Sequence, residues 1–284
     1  MDQVKISAFA DEAGSAIDEQ IAAVKRNSLD GIEVRGTELG NISDLSFVAA
    51  CYVSKKLRDE KVEVFSLGSP IGKIGILDEF APHLEKLRNT LELCKVFGAK
   101  HVRVFSFYIP QGHDPQNYRD EVIFRMAKMA EVAAEYGVTL CHENEKGIYG
   151  DNWERCLDIL NSVPGIKGIF DPANFVQCGV DTLKAWENLG DRILYMHIKD
   201  ALPDGRVVPA GCGAGNLAKI VKDFFANGGR RFTIEPHLTV FKGLNELERE
   251  GQESRVGEAY TYPDSNSAFD AACDAFKKLL AEVE

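Results

Sequence analysis

The sequence predicts an α/β fold, a single (β/α)8 TIM barrel occupying residues 1–284 as one domain. Three observations carry this. Short β-rich runs alternate strictly with longer amphipathic patterns from end to end. The alternation repeats eight times over 284 residues, which suits one closed barrel better than an open doubly wound sheet. No linker or shift in composition divides the chain, and hydrophobic residues make up 45% of it, enough for one large core.

The strand candidates, in order, are VKISAF (4–9), GIEVRG (31–36), VEVFSL (62–67) and HVRVFSF (101–107). VTLCHEN (138–144), KGIFD (167–171), ILYMHIK (193–199) and RFTIEP (231–236) follow. Between them, apolar residues recur three and four apart, the helical period. The helical stretches begin with DEQIAAVKRN and DLSFVAACYVSKKLRDE, then HLEKLRNTLELCKVFG and EVIFRMAKMAEVAAEYG. NWERCLDILNSV, TLKAWENLG, LAKIVKDFFANGG and AFDAACDAFKKLLAEV complete the series. Gly98, Gly137, Gly190 and Gly228 stand where helix C-caps are expected. One long irregular stretch, 238–267, separates the last strand from the last helix. A connection of that length in a barrel points to a functional segment at the mouth, with Tyr260 and Tyr262 placed to close over a ligand, or to a plain surface loop.

The net charge of −11 (33 basic against 44 acidic residues) disfavours nucleic acid and anionic membrane as partners. Seven cysteines, an odd set without a C-x-x-C pair, read as reduced thiols in a cytoplasmic protein. The opening MDQVKISAF has no apolar core of a signal peptide, and no run reaches membrane-spanning length.

Four consecutive strands in the second half end in a metal-ligating residue: Glu143 in LCHEN, Asp171 in IFDPAN, His197 in YMHIKD and Glu235 in TIEPH. The C-terminal ends of barrel strands converge on one mouth. Three carboxylates crowded there repel one another unless a cation neutralises them. Singly, each has an ordinary structural explanation, as turn residue, solvated acid or hydrogen-bonded imidazole; on four successive strand ends they read as a set. Oxygen-rich ligation with one nitrogen suits Mn²⁺ or Mg²⁺, with Co²⁺, Fe²⁺ or Zn²⁺ as alternatives.

These residues, together with FDPAN, HIKD, GCGAG and IEPH, resemble the sugar phosphate isomerase/epimerase superfamily, the xylose isomerase-like TIM barrels. Ketose 3-epimerases, hydroxypyruvate isomerase and inosose-processing enzymes are among its members. The resemblance implies one divalent ion held by Glu143, Asp171, His197 and Glu235, with Glu143 and Glu235 as an acid/base pair on opposite faces of a bound sugar. The implied reaction is proton abstraction beside a carbonyl, with the metal as Lewis acid stabilising the enediolate. Against the ketose 3-epimerases, Asn174 stands for a substrate-binding His and Tyr149 for a Glu; Pro203 stands for an Arg, with Arg206 close by. The metal chemistry therefore carries over further than the substrate.

Strand alternation puts Lys199 on the face of His197, and His237 follows Glu235 by two. With Asn174 and Arg206 these are the substrate-binding candidates, each against the alternative of a solvated rim or turn residue. His142 alternates away from Glu143, toward the helix layer. Glu33 and Arg103, charged residues inside strands, read as a buried structural pair. GCGAGN (211–216) reads as a tight loop opening a helix at Leu217, with phosphate binding on its N–H groups as the alternative.

The functional expectation is a metal-dependent isomerase or epimerase of a sugar or sugar derivative, with a homo-oligomer compatible. A lyase that dehydrates or eliminates from a keto-sugar or keto-glycoside in the same site is the nearest alternative. A non-catalytic sugar-binding barrel is the alternative of another class. A DNA-repair nuclease of the same barrel type is disfavoured, because FSLGSP and VFSFYIP offer no further His at their strand ends.

Overall fold

The computed structural model describes residues 3–244 and 254–283. Eight strands form the barrel: β1 (Lys5–Ala8), β2 (Gly31–Val34), β3 (Glu63–Leu67), β4 (His101–Val104), β5 (Thr139–Glu143), β6 (Lys167–Phe170), β7 (Ile193–Ile198) and β8 (Arg231–Ile234). Every neighbouring pair is parallel, and β8 closes on β1 with Lys5 opposite Arg231 and Ala8 opposite Ile234. Each strand falls inside the run that its alternation marks out.

Helices α1 (Ile17–Arg26), α2 (Phe47–Asp59), α3 (Phe80–Phe97), α4 (Arg119–Glu135), α5 (Trp153–Ser162), α6 (Thr182–Leu189), α7 (Leu217–Ala226) and α8 (Ser265–Val283) form the outer layer. Their starts are capped by side chains at Ser46, Asn152 and Asp181, each accepting an otherwise unpaired N–H of the first turn. Gly98 ends α3 in the left-handed conformation, φ 72°. Gly190 differs from the expected cap: its φ is −50°, and the chain runs on into a 3-10 turn. Its glycine serves packing instead, since a Cβ there would meet the Trp186 ring at 3.1 Å. A further short helix, Pro172–Gln177, follows β6 directly.

Inside the barrel, Cys141, Ile169 and Tyr195 form an apolar plug with Phe65 and Leu194 packed against it. Two residues further along the same strands come Glu143, Asp171 and His197, so strand alternation alone carries the interior from apolar floor to polar site. Among the described residues no helix is long and apolar enough to cross a membrane.

The loop after β3 is held by His83, whose Nε2 accepts the Gly72 N–H at 2.7 Å. Burial pushes this imidazole down to about 4. A folded-state value below the unfolded one near 6.5 means the unfolded chain takes up a proton that the folded chain refuses. The resulting stability is complete above pH 6.5 and is lost as pH falls toward 4, about 2 kcal/mol of it by pH 5. Urea unfolding of chelator-treated protein at pH 7 and pH 5 should therefore show a smaller fall for His83→Gln than for the parent. Equal falls would contradict this role.

Candidate metal centre

One ligand atom from each of Glu143, Asp171, His197 and Glu235 lies within 4.8 Å of the other three, and all four residues are buried. Metal–ligand bonds of about 2.0–2.2 Å place opposite ligand atoms about 4–4.4 Å apart, so only small adjustments separate this cluster from a coordination sphere.

The clamping of each carboxylate is informative. Asp171 is the N-cap of the short helix, its Oδ1 accepting the Asn174 N–H at 2.9 Å. Its Oδ2 is buried without a hydrogen bond. Glu143 gives Oε2 to Arg103 Nη1 at 3.2 Å and turns Oε1 to His197 Nδ1 at 2.8 Å. Glu235 gives Oε1 to Arg35 Nη1 at 3.2 Å and turns Oε2 inward, 3.6 Å from His197 Nδ1. Each carboxylate thus has one oxygen tied to the wall and one facing a common centre.

His197 follows the same logic. Its Nε2 stands 3.2 Å from Glu33 Oε2, which also accepts the Thr233 hydroxyl at 2.8 Å. A proton on Nε2 leaves Nδ1 bare toward the centre, the arrangement in which a carboxylate orients a metal-binding imidazole. Without a cation the charges are in conflict. Burial pulls His197 down, but Glu143 and Glu33 outweigh it and hold the imidazole up at about 10. Burial pushes Asp171 up, Lys199 pulls it back, and Glu235 and Glu143 push again, leaving it at about 7. A divalent ion would relieve both. The donor set fits such an ion, as does the buried Asp171 Oδ2, which accepts no hydrogen bond and faces the Lys199 ammonium.

Glu33 and Arg103 do not pair with each other as the sequence suggested. Arg103 clamps Glu143 and also donates to the Gly68 carbonyl at 3.1 Å, while Glu33 serves His197 and accepts the Tyr195 hydroxyl at 2.9 Å. Glu33 reaches across the barrel from β2 to β7, whereas Arg103 and Glu143 sit on the neighbouring strands β4 and β5. Glu33→Gln should weaken divalent-metal binding about 10–100-fold while leaving the fold intact, measured by competition with a chromogenic chelator. Unchanged affinity would contradict the orienting role.

The other sequence candidates are placed as follows. Lys199 is buried, its Nζ 2.9 Å from Asp171 Oδ2 and 3.0 Å from Glu235 Oε2. His237 lies beside the cluster, with Nδ1 2.9 Å from Glu12 Oε1 and Nε2 3.7 Å from Glu235 Oε1. Asn174 faces the loops: its Nδ2 donates to the Asn144 carbonyl at 2.9 Å, and its Oδ1 is buried without a partner. Arg206 is turned to Asp204 at 2.8 Å in a half-exposed pair at the rim. Tyr149 donates to Asp158 Oδ2 at 2.9 Å, toward α5. His142 points off the site face, its Nε2 2.9 Å from Ser106 Oγ.

GCGAGN opens α7 at Leu217, and its anion is internal. The N–H groups of Gly211, Gly213 and Gly215 all donate to the Asp200 carboxylate at 2.9–3.0 Å. A Cβ at Gly213 would meet Asp200 Oδ1 at 2.3 Å, so the glycines are required by this close approach and the nest has no room for a phosphate. Asp200 thereby pins the end of β7 beside His197 and Lys199.

Several residues of the site carried no flag in the sequence reading. Arg35 donates to Asp11, Glu12 and Glu235 and stacks on Phe9 at 4.4 Å and on Phe241 at 4.8 Å. Asn144 and Asp171 bond reciprocally, locking the ends of β5 and β6 together. Lys73 and Glu145, 3.1 Å apart, line one chamber with Arg103, Glu143, Lys199 and Glu235. Of the segment 238–267, residues 245–253 lie outside the described residues. Of its flanks, Phe241 lies against His237 with ring centres 5.4 Å apart, and Ser254 lines the chamber. Tyr262 packs on the core and Tyr260 is exposed. A wider cleft of about 690 Å³ between Trp153 and Lys184 gathers no comparable set of ligating atoms among the described residues, and its Arg155 pairs locally with Asp151.

Comparison with known proteins bears on the family and the fold. The family model of the xylose isomerase-like TIM barrel matches residues 21–253. The chain belongs to that family. A curated relative, the 3-dehydroshikimate dehydratase of Bacillus anthracis, is 22% identical over 176 residues, 61% of this chain and 62% of that protein. Among solved structures, the IOLI protein with a bound zinc atom superposes with a TM-score of 0.74 at 15% identity, covering 99% of both chains. L-Ribulose 3-epimerase superposes with a TM-score of 0.74 at 19% identity, covering 100% of this chain and 96% of its own. At these identities the structural likenesses establish the fold, and the similar proteins with named activities include both an epimerase and a dehydratase.

Proposed function

We propose that this protein is a divalent-metal-dependent isomerase or epimerase that removes a proton beside the carbonyl of a sugar or sugar-derived ketone. Glu143, Asp171, His197 and Glu235 hold the ion in this reading. The observation that carries it is the clamping pattern: three carboxylates each with one oxygen tied and one turned to a shared centre, beside an imidazole oriented by Glu33. Bound there, a divalent ion supplies Lewis acidity to the carbonyl and adjacent hydroxyl oxygens of the substrate. Glu143 and Glu235 approach from β5 and β8, on either side of the pair formed by Asp171 and His197. Arg103 and Arg35 fix their orientation, so the inward oxygens are held ready to take a proton and return it. Lys199 and His237 line the space a substrate would enter, where they contact its oxygens.

The dehydratase relative favours a second reading in which the same abstraction is followed by loss of water. Product analysis separates the two. The metal-loaded protein is incubated with a panel of ketopentoses, ketohexoses and 3-dehydroshikimate. An isomerase yields products of unchanged mass, and a dehydratase yields products lighter by one water. Absence of any product across the panel and across keto-glycosides would count against both.

A further inference from the structure

Lys199, besides lining the space a substrate would enter, sits directly on two of the candidate ligand oxygens. Its ammonium bridges Asp171 Oδ2 at 2.9 Å and Glu235 Oε2 at 3.0 Å, in a residue only 5% exposed. These are the two inward oxygens of those carboxylates. The outward ones are committed, Asp171 Oδ1 to the Asn174 N–H and Glu235 Oε1 to Arg35. The contact to Glu235 is an aligned hydrogen bond, whereas the contact to Asp171 is ionic only.

We propose that Lys199 is the built-in counter-cation of this centre: its ammonium holds Asp171 and Glu235 when no divalent ion is bound, and an arriving ion must displace it. The inference rests on the four-residue metal reading above. An ion bonded to both inward oxygens at about 2.1 Å and an ammonium held to the same two atoms would be brought within a few ångströms of each other. In a dry interior that repulsion is severe. The flexible four-carbon stem gives the ammonium somewhere to go. Glu145 lines the same chamber and already contributes to the field at Lys199. The displaced ammonium stays in the chamber within the field of Glu145, a carboxylate that Lys73 and Lys146 already hold at 3.1 and 3.2 Å. The arrangement explains how three buried carboxylates remain compatible with a folded metal-free protein.

The test uses chelator-stripped full-length protein, Mn²⁺ as the probe, and two readouts independent of turnover. Affinity is measured by competition with a chromogenic chelator, and stability by thermal melting with and without Mn²⁺. Lys199→Met is expected to bind Mn²⁺ about tenfold more tightly than the parent, a difference of RT ln 10. Stripped, it should melt lower than the stripped parent and gain more on adding Mn²⁺. Lys199→Arg should keep a cation in place and stay near the parent in both. If Lys199→Met does not fold when stripped, Lys199→Gln supplies the neutral side chain with a polar end. Equal or weaker Mn²⁺ affinity in the neutral variant overturns the displacement, and an unchanged melting temperature of the stripped form overturns the counter-cation role. A parent protein that binds no Mn²⁺ sinks the metal reading itself, a result distinguishable from either of those.

Discussion

Glu143→Gln and Glu235→Gln should each cut carbon-proton exchange by about 10²–10⁴-fold, the contribution of a positioned general base. Glutamine keeps an oxygen for the centre and nearly the same volume, so the barrel and part of the metal affinity should survive. What is lost is the proton acceptor. The two variants also divide the candidate reactions. In an epimerase each carboxylate serves one face, so one variant should exchange the proton of one epimer yet fail to deliver the other. In an eliminating enzyme a single abstraction starts the reaction, and one carboxylate should matter far more. If both variants retain full exchange with the metal in place, the base lies elsewhere, with Lys199 and His237 next to be replaced.

Asp171→Ala and His197→Ala should lose stoichiometric metal. Outer partners of a metal ligand are worth about 10–100-fold in affinity, and direct ligands should cost more than that. The barrel should persist, because its strands and helices are held by burial remote from the mouth. Asp171→Ala also removes the cap on Pro172–Gln177, a cost of about 1 kcal/mol. That loss is separable, since Asp171→Asn keeps a capping oxygen. Elemental analysis reads the outcome: undiminished metal in both alanine variants would mean that the cluster is not the binding site.

The strand-end positions of Glu143, Asp171, His197 and Glu235 were legible because barrel topology converts strand order into spatial order. The alternation of Tyr195, His197 and Lys199 likewise put one side of β7 into the interior. Partners across the barrel were not legible. Glu33 lies 164 residues from His197, and Arg35 lies 200 from Glu235. No local pattern ties them together. The charged residues inside GIEVRG and HVRVF were the available signal, since a charge within an apolar strand requires a partner. The glycine loop was legible as a turn opening the helix at Leu217; what the sequence did not show is that its N–H groups bind an anion of the same chain, Asp200. The short helix after β6 is too brief for periodicity to mark it. Asp-Pro at its start, an N-cap followed by proline at the first helical position, was the sign that a helix begins there.

The central claim is that metal and carboxylates together labilise a carbon-bound proton. Its most direct test is incubation in D₂O with a panel of keto-sugars, before and after metal removal, followed by mass and NMR analysis of the recovered sugars. The account predicts carbon-bound deuterium next to the carbonyl with Mn²⁺ present, background levels after chelation, and recovery when Mn²⁺ is restored. A substrate that is turned over with no carbon-bound deuterium, or exchange that continues undiminished in chelated protein, would contradict it.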